Sequence, residues 1–252
     1  MSSTTAIGID IGGTGIKGAV VDLSTGALLS DRIKLPTPKG GRPQDIIDTT
    51  IQLLAQVASG TDDLAVGICF PAVIKHGHTM SAANVSDKWI GLAAEALFEK
   101  ALKLPIHFVN DADAAGYAES QFGAAKDVPG VVLLTTLGTG IGTALLNDGV
   151  LVPNTEFGHL EIDGKDYETR AAYSAKERED LSWDKWASRL QKYYSTLEQL
   201  FSPDLFIVGG GVSKHHEDFL PLLSLKTRII PAVHRNNAGI LGAAALAVKF
   251  QA

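Results

Sequence analysis

Gly13-Thr14-Gly15-Ile16 recurs as Gly138-Thr139-Gly140-Ile141, 125 residues further on, and each copy stands between apolar runs with the composition of β-strands. Glycines at a turn bare the backbone N–H groups and admit a bulky anion, which is how a chain cradles phosphate. Each copy carries a hydroxyl at the same place, Thr14 and Thr139, and Asp10 puts a carboxylate ahead of the first. The match runs past the turns: Ala19-Val20-Val21-Asp22 is answered by Ala144-Leu145-Leu146-Asn147, and the preceding strand, Ile7 to Ile11, by Val132 to Thr136. Two halves with one opening turn predict a duplicated fold. Two such turns facing each other across a cleft would grip one polyanion from both sides, which points to phosphoryl transfer.

Two other readings compete. Gly13-Thr14-Gly15-Ile16-Lys17-Gly18 formally fits the dinucleotide fingerprint, but that motif needs a helix directly after the glycines. Ile16-Lys17-Gly18-Ala19-Val20-Val21 is too β-branched to start one. An ordinary β-hairpin whose glycines only supply positive φ would explain one copy, and explains two less well. A P-loop is excluded, since no Gly-x-x-x-x-Gly-Lys-Ser/Thr occurs.

Other residues could carry chemistry. A carboxylate at Asp10, within the apolar strand of Ile7, Ile9 and Ile11, is costly unless it faces a cation or hydrogen-bond donors. Beside a phosphate turn the expected cation is Mg²⁺; a hairpin-satisfying Asp is the plainer reading. Asn110-Asp111 follows the apolar run Ile106 to Val109 and precedes a helical segment, Ala112 to Phe122. That puts both at a strand's carboxyl end, where open α/β sheets bind ligands. Asp111 reads equally as a catalytic group and as the helix N-cap. Glu156, His159 and Glu168 combine carboxylates with an imidazole, a set suited to adjacent sugar hydroxyls or, more plainly, to a solvated surface. Glu-x-x-His also resembles a metal-ligand pair, but with no cysteine or second His nearby no zinc site is expected. Gly209-Gly210-Gly211 lets backbone approach a flat or anionic ligand, with Ser213 expected to cap a helix.

The elements that must position these groups can be read in outline. Strands are predicted near 6–11, 16–22, 27–35, 65–70, 106–109, 130–136, 141–147 and 204–208, and helices near 43–58, 92–102, 112–122, 183–201 and 239–249. The helix at 183–201 has the clearest pattern, with Trp183, Trp186, Leu190, Tyr193, Leu197 and Leu200 at spacings of three and four, all expected in the core. The predicted division is a smaller lobe, 1–110, on which a final helix, 238–252, packs back, and a larger lobe, 111–237. Cys69 is the only cysteine and lies in an apolar run, as a buried small hydrophobe would. No disulfide can form within the chain, no window approaches the roughly 18 apolar residues of a membrane helix, and no leader is evident, so a cytoplasmic protein is expected. Asn84-Val85-Ser86 is accordingly not read as a glycosylation site. A net charge of −6 argues against nucleic acid as partner and leaves any polyanion to local dipoles and a few cations.

Taken together, Ile9-Asp10-Ile11-Gly12-Gly13-Thr14 with Lys17, Asn110-Asp111 before a helix, Leu137 to Gly142, Glu156-x-Gly158-His159 and Gly209-Gly210-Gly211 resemble the ROK family of sugar kinases. The resemblance covers nearly the whole chain, and Thr135 to Gly142, Glu156 to Gly164 and Ser202 to Gly211 look like its actinobacterial polyphosphate-using branch. It implies the α/β actin-like ATPase (ribonuclease H-like) duplicated fold, two lobes with a cleft between. The implied reaction is phosphoryl transfer from inorganic polyphosphate, ATP or both to the 6-hydroxyl of glucose. Asp111 is then the general base, with Asn84, Asn110, Glu156, His159 and Glu168 around the sugar. Asp10, Gly12, Gly13, Thr14, Gly15, Lys17, Thr136, Gly138, Thr139 and Gly140 surround the phosphates, and Gly209 to Gly211 meet a nucleotide or the phosphate chain. Mg²⁺ is the implied cofactor, reached by Asp10 through water, and a homodimer the implied assembly. The zinc-binding cysteine cluster of many members is missing after His159, so His159 is expected to be a sugar ligand only. The family's Pro-Gly turn is Pro71-Ala72 here, which puts in doubt any role needing positive φ. Lys165, Arg170, Lys176, Arg178 and Lys214 are candidates for a basic path along a polyphosphate. An ATP-only kinase and a sugar-binding regulator are the alternatives; regulators of the family carry an N-terminal DNA-binding domain, for which a first strand starting by residue 6 leaves no room.

Overall fold

A computed structural model describes residues 4–58 and 64–251. Its chain separates into two compact units, Met1–Ala118 with Asn237–Ala252, and Glu119–Asn236. In chain order the first unit contains β1 (Thr5–Ile11), β2 (Gly15–Asp22), β3 (Ala27–Leu28), β4 (Ile33–Pro36), α1 (Pro43–Val57), β5 (Ala65–Phe70), β6 (Ile74–Lys75), β7 (His78–Thr79), α2 (Ala94–Leu102) and β8 (Ile106–Asn110). Helix α3 (Asp111–Phe122) carries the chain into the second unit. There follow β9 (Val131–Leu137), β10 (Ile141–Asn147), β11 (Val150–Val152), β12 (Glu161–Ile162), β13 (Lys165–Asp166), α4 (Glu168–Ala171), α5 (Tyr173–Arg178), α6 (Trp183–Phe201), β14 (Leu205–Gly209), α7 (His216–Phe219) and β15 (Arg228–Pro231). Helix α8 (Ala238–Gln251) belongs again to the first unit.

The two main sheets have one topology. In the first unit the order is β3-β2-β1-β5-β8, with β4 also on β2; in the second it is β11-β10-β9-β14-β15. In both, the first three strands form an antiparallel meander and the last two run parallel to the third. The duplication is therefore real, but the alignment read from the sequence slips by one residue on its first strand. Ile11 pairs with Ile16 in one unit and Leu137 with Ile141 in the other, so the first turn holds one residue more. The counterpart of Ile7 to Ile11 is Leu133 to Leu137, and Asp10, opposite Lys17, corresponds to Thr136, opposite Gly142. A one-residue slip exchanges the two faces of a strand, so this correction decides which side chains share a face.

Two expectations for local structure fail for clear reasons. The strand at 27–35 is broken into β3 and β4, because Ser30 turns its hydroxyl to accept the N–H of Val20 where a ladder carbonyl would have been. Leu200 is 59% exposed: it lies in the last turn of α6, and the buried stripe is Trp186, Ala187, Leu190, Tyr193, Tyr194 and Leu197. Tyr194 is accommodated there by a 2.6 Å hydrogen bond between its hydroxyl and that of Thr135.

Helix α1 starts on Pro43, whose missing N–H costs nothing there, and buries Ile46, Ile47, Leu53, Leu54 and Val57 at helical spacing. Helix α8 lies across β1, β5 and β8. Glycines permit it: a Cβ on Gly8 would stand 1.9 Å from the carbonyl oxygen of Ile240, and one on Gly67 1.9 Å from that of Ala243. Gly242 meets the backbone of Ala114 in the same way, which ties the start of α3 to α8.

Candidate active-site residues

In the first unit, the turn between β1 and β2 is closed by Gly12 N–H on the Gly15 carbonyl at 3.1 Å, while the Thr37 hydroxyl donates to the Gly12 carbonyl at 2.5 Å. The N–H groups of Gly13 and Thr14 take no part in closing the turn. Asn84 adopts a left-handed conformation (φ 62) and packs on the turn, its Cβ 2.8 Å from where a Cβ on Gly13 would lie. The Asp10 carboxylate does have a cation to face, and it is Lys17: Nζ lies 2.9 Å from Oδ2 across the β1–β2 pair. Its other oxygen takes a weak 3.7 Å hydrogen bond from Cys69 Sγ. Gly239 presses on both, since a Cβ there would fall 2.9 Å from Asp10 Cγ and 3.0 Å from the sulfur.

Asp10, Cys69 and Asn110 sit at the carboxyl ends of neighbouring parallel strands, with Asp10 in register with Cys69 and Phe70 with Asn110. Asn110 is buried, and both the oxygen and the nitrogen of its amide are hydrogen-bonded. Its Oδ1 accepts the N–H groups of Ala112 at 2.8 Å and Asp113 at 3.0 Å, and its Nδ2 donates to the Ala72 carbonyl at 2.9 Å. That is N-cap geometry, so the cap of α3 is Asn110 and not Asp111. Ala72 serves the cap through its carbonyl and is not among the described residues with positive φ. Asp111 opens the helix, where the peptide dipoles favour its negative charge. Burial pushes the Cys69 thiol well above its ordinary pKa, and the charges of Asp10 and then Asp111 add to the effect.

In the second unit the turn between β9 and β10 has the same construction. Gly138 N–H closes it on the Gly140 carbonyl at 3.0 Å, and Ser174 at the start of α5 holds the carbonyls of Gly138, through its N–H, and Thr139, through its hydroxyl at 2.6 Å. The N–H groups of Thr139 and Gly140 take no part in closing it. Ile141 then anchors two groups: its N–H donates to Glu168 Oε2 at 2.7 Å, and its carbonyl lies 2.1 Å from where a Cβ on Gly158 would be. So the Glu156-x-Gly158-His159 segment and Glu168 both rest on the first residue after the turn. A Cβ on Gly140 would stand 2.4 Å from Glu168 Oε2.

These groups feel one another's charge. Desolvation by the surrounding protein, opposed by His159 and reinforced by Glu168, raises the pKa of Glu156. His159 is raised above its ordinary value chiefly by its 2.8 Å hydrogen bond to Asp166, with Glu168 and Glu156 contributing. Asp166 was not singled out from the sequence, since nothing marks it there as the partner of a residue seven positions earlier. Gly210 (φ 81) fits only as glycine, with a Cβ position 2.3 Å from the Leu137 carbonyl oxygen, whereas Gly211 faces open space. Thr136, in register with Gly209, joins this glycine run to the turn. Ser213 is not a helix cap: buried inside a 3₁₀ turn, it donates to the Gly210 carbonyl at 2.8 Å and pins the run.

Of the basic-path candidates, Arg170 and Arg178 lie 3.8 and 3.2 Å from Glu179, and Lys176 sits 4.2 Å above the Trp183 ring. Among the described residues, no three His, Cys, Asp or Glu side chains are grouped to hold a metal ion. No helix among them is long and apolar enough to cross a membrane.

A duplicated sheet with a glycine turn after the first strand of each copy and an acidic residue opening the helix after β8 defines a class. The chain belongs to the ROK family, whose family model matches residues 6–171, and has the actin-like ATPase fold of its sugar kinases. Among curated relatives, the polyphosphate glucokinase of Mycobacterium tuberculosis is 46% identical over 243 residues, 96% of this chain and 90% of that one. Among solved structures, the inorganic polyphosphate/ATP-glucomannokinase of Arthrobacter sp. strain KM superposes with a TM-score of 0.93 at 50% identity, over 99% of this chain and all of that one. The ROK family glucokinase of Streptomyces griseus, solved with glucose and AMPPNP, gives 0.82 at 26% identity over 97% and 99%.

Proposed function

We propose that this protein is a polyphosphate glucokinase: it transfers the terminal phosphoryl group of inorganic polyphosphate to the 6-hydroxyl of glucose. The observation that carries the kinase reading is the N-cap geometry of Asn110, which fixes the start of α3 and so sets Asp111, whose Oδ1 takes the Ala112 N–H at 2.8 Å, at the carboxyl end of β8. Asp111 accepts the hydroxyl proton as the sugar oxygen attacks phosphorus. The N–H groups of Gly13, Thr14, Thr139 and Gly140 meet the phosphate oxygens where charge gathers. Glu156, His159, Glu168 and Asn84 orient the sugar. Asn110 acts chiefly by fixing the start of α3.

Asp10 is suited to a hydrated Mg²⁺. Such an ion needs only one or two carboxylates when water and phosphate oxygens complete its shell, and this donor set offers one carboxylate already balanced by Lys17. When bound, Mg²⁺ neutralises charge on the transferring group. A reducing, cytoplasmic setting suits the single, fully buried Cys69.

ATP is the second donor to consider, because the Arthrobacter and Streptomyces relatives are described with ATP or AMPPNP. Purified protein given glucose with polyphosphate or ATP, alone and in competition, tests the proposal through glucose 6-phosphate formed. Transfer from polyphosphate is expected; transfer from ATP alone would make the protein an ATP-dependent glucokinase.

A further inference from the structure

Helix α4 is a single turn, four residues long, and a helix that short leaves its last carbonyls without backbone partners. Three side chains take them in succession: Arg178 Nη2 donates to the Thr169 carbonyl at 2.8 Å, Arg189 Nη1 to that of Arg170 at 3.0 Å, and the Trp186 indole N–H to that of Ala171 at 3.0 Å. Both arginines also hold Glu179, Arg189 Nη2 on Oε2 at 2.5 Å and Arg178 Nη2 on Oε1 at 3.2 Å. Arg189 is largely buried, and its planar fork spans the carboxylate and the carbonyl together. The other end of α4 is Glu168, whose carboxylate takes the Ile141 N–H beside Gly140. One rigid turn of helix thus joins the arginine clasp to a proposed sugar ligand.

We propose that Arg189, locked on Glu179, is a positioning residue that sets Glu168 for glucose. This rests on the reading of Glu168 as a sugar ligand. The turn carbonyls are held by Ser174 of α5, whereas α4 meets the end of the turn through Glu168 itself, so loosening the Arg189 hold on α4 acts first on Glu168. The charge that holds the clasp is robust: the hydrogen bond from Arg189 above all, with help from Arg178 and Arg170, brings the Glu179 pKa down to about 2.

The test is steady-state kinetics of Arg189→Ala, Glu168→Gln and the double variant with glucose and polyphosphate, beside thermal melting. Arg189→Ala is expected to raise the KM for glucose by about tenfold to a hundredfold, the scale of losing a hydrogen bond to a charged group. Its kcat and the KM for polyphosphate should stay within about threefold, as for a loss of uniform binding. In the Glu168→Gln background the same substitution should add almost nothing, because residues acting through one another are not additive. Arg189→Lys, which keeps the charge without the fork, should show the glucose effect in part and serves if the alanine variant does not fold. Additive effects, or equal losses on both substrates with a lowered melting temperature, would overturn the positioning role and leave a structural clasp. If Glu168→Gln alone left the KM for glucose unchanged, the sugar-ligand reading itself would fall, and this inference with it.

Discussion

Asn110 caps the helix that Asp111 begins, so two adjacent polar residues that look interchangeable in the sequence are separated by the hydrogen bonds of the first. Asp111→Asn should therefore keep its fold and glucose affinity while turnover falls by about 10²-fold to 10⁴-fold, the range for loss of a general base. Asn110→Ala should instead cost about 1–2 kcal/mol of stability. Turnover and denaturant midpoints of the two variants separate the roles, and near-normal turnover in Asp111→Asn would remove Asp111 from catalysis.

The glycines of the second unit are expected to differ sharply in tolerance. Gly138 has nothing within 4 Å of where a Cβ would lie, so Gly138→Ala should fold with an unfolding midpoint close to that of the parent protein. Gly140→Ala collides with the Glu168 carboxylate and should weaken glucose binding, measured as a raised KM. Gly210→Ala combines positive φ with a backbone collision and should lose about 1–3 kcal/mol or more, seen as a lowered unfolding midpoint.

Chelation with EDTA should abolish transfer, and Mg²⁺ should restore it, whereas elemental analysis of purified protein should find no stoichiometric zinc. About one zinc per chain would assign His159 to a metal instead of the sugar.

His159 should keep its proton to higher pH than a free imidazole, because Asp166 accepts from Nδ1 and two more carboxylates lie near. With the folded pKa raised, the stabilisation is complete below the ordinary value of about 6.5 and disappears as pH rises through the folded value. An NMR titration of the imidazole should show the raised value in the native protein and a lower one in Asp166→Asn. An unchanged titration in that variant would place the cause elsewhere.

Periodic and repeated features were legible in the sequence. The spacing of Trp186, Leu190, Tyr193 and Leu197 gives α6, and the repeated turn gives the duplication. Matching letters could not give the register, because the extra residue in the first turn shifts Asp10 opposite Lys17 without altering either strand's composition. Nor could spacing give side-chain contacts between distant segments: Asp166 on His159, or Arg189 reaching back to Glu179 and Arg170, depends on how short helices fold over one another. Leu200 failed because the helical stripe continues in the sequence for one turn beyond the core it packs on.

The glycine-lined seat of α8 on β1 and β5 also orders the protein's assembly in time. The second unit is one uninterrupted stretch, Glu119–Asn236, and every residue it needs has been synthesised before α8 emerges from the ribosome. The first unit starts earlier and finishes later: until α8 arrives, the faces of Gly8 and Gly67 have no helix against them. Folding during synthesis, which usually favours the N-terminal part of a chain, is here expected to complete the inserted unit first. Ribosome-bound chains that carry residues 1–236 followed by an unstructured linker long enough to fill the exit tunnel should show the second unit protected from proteolysis while β1 and β5 remain open to cleavage.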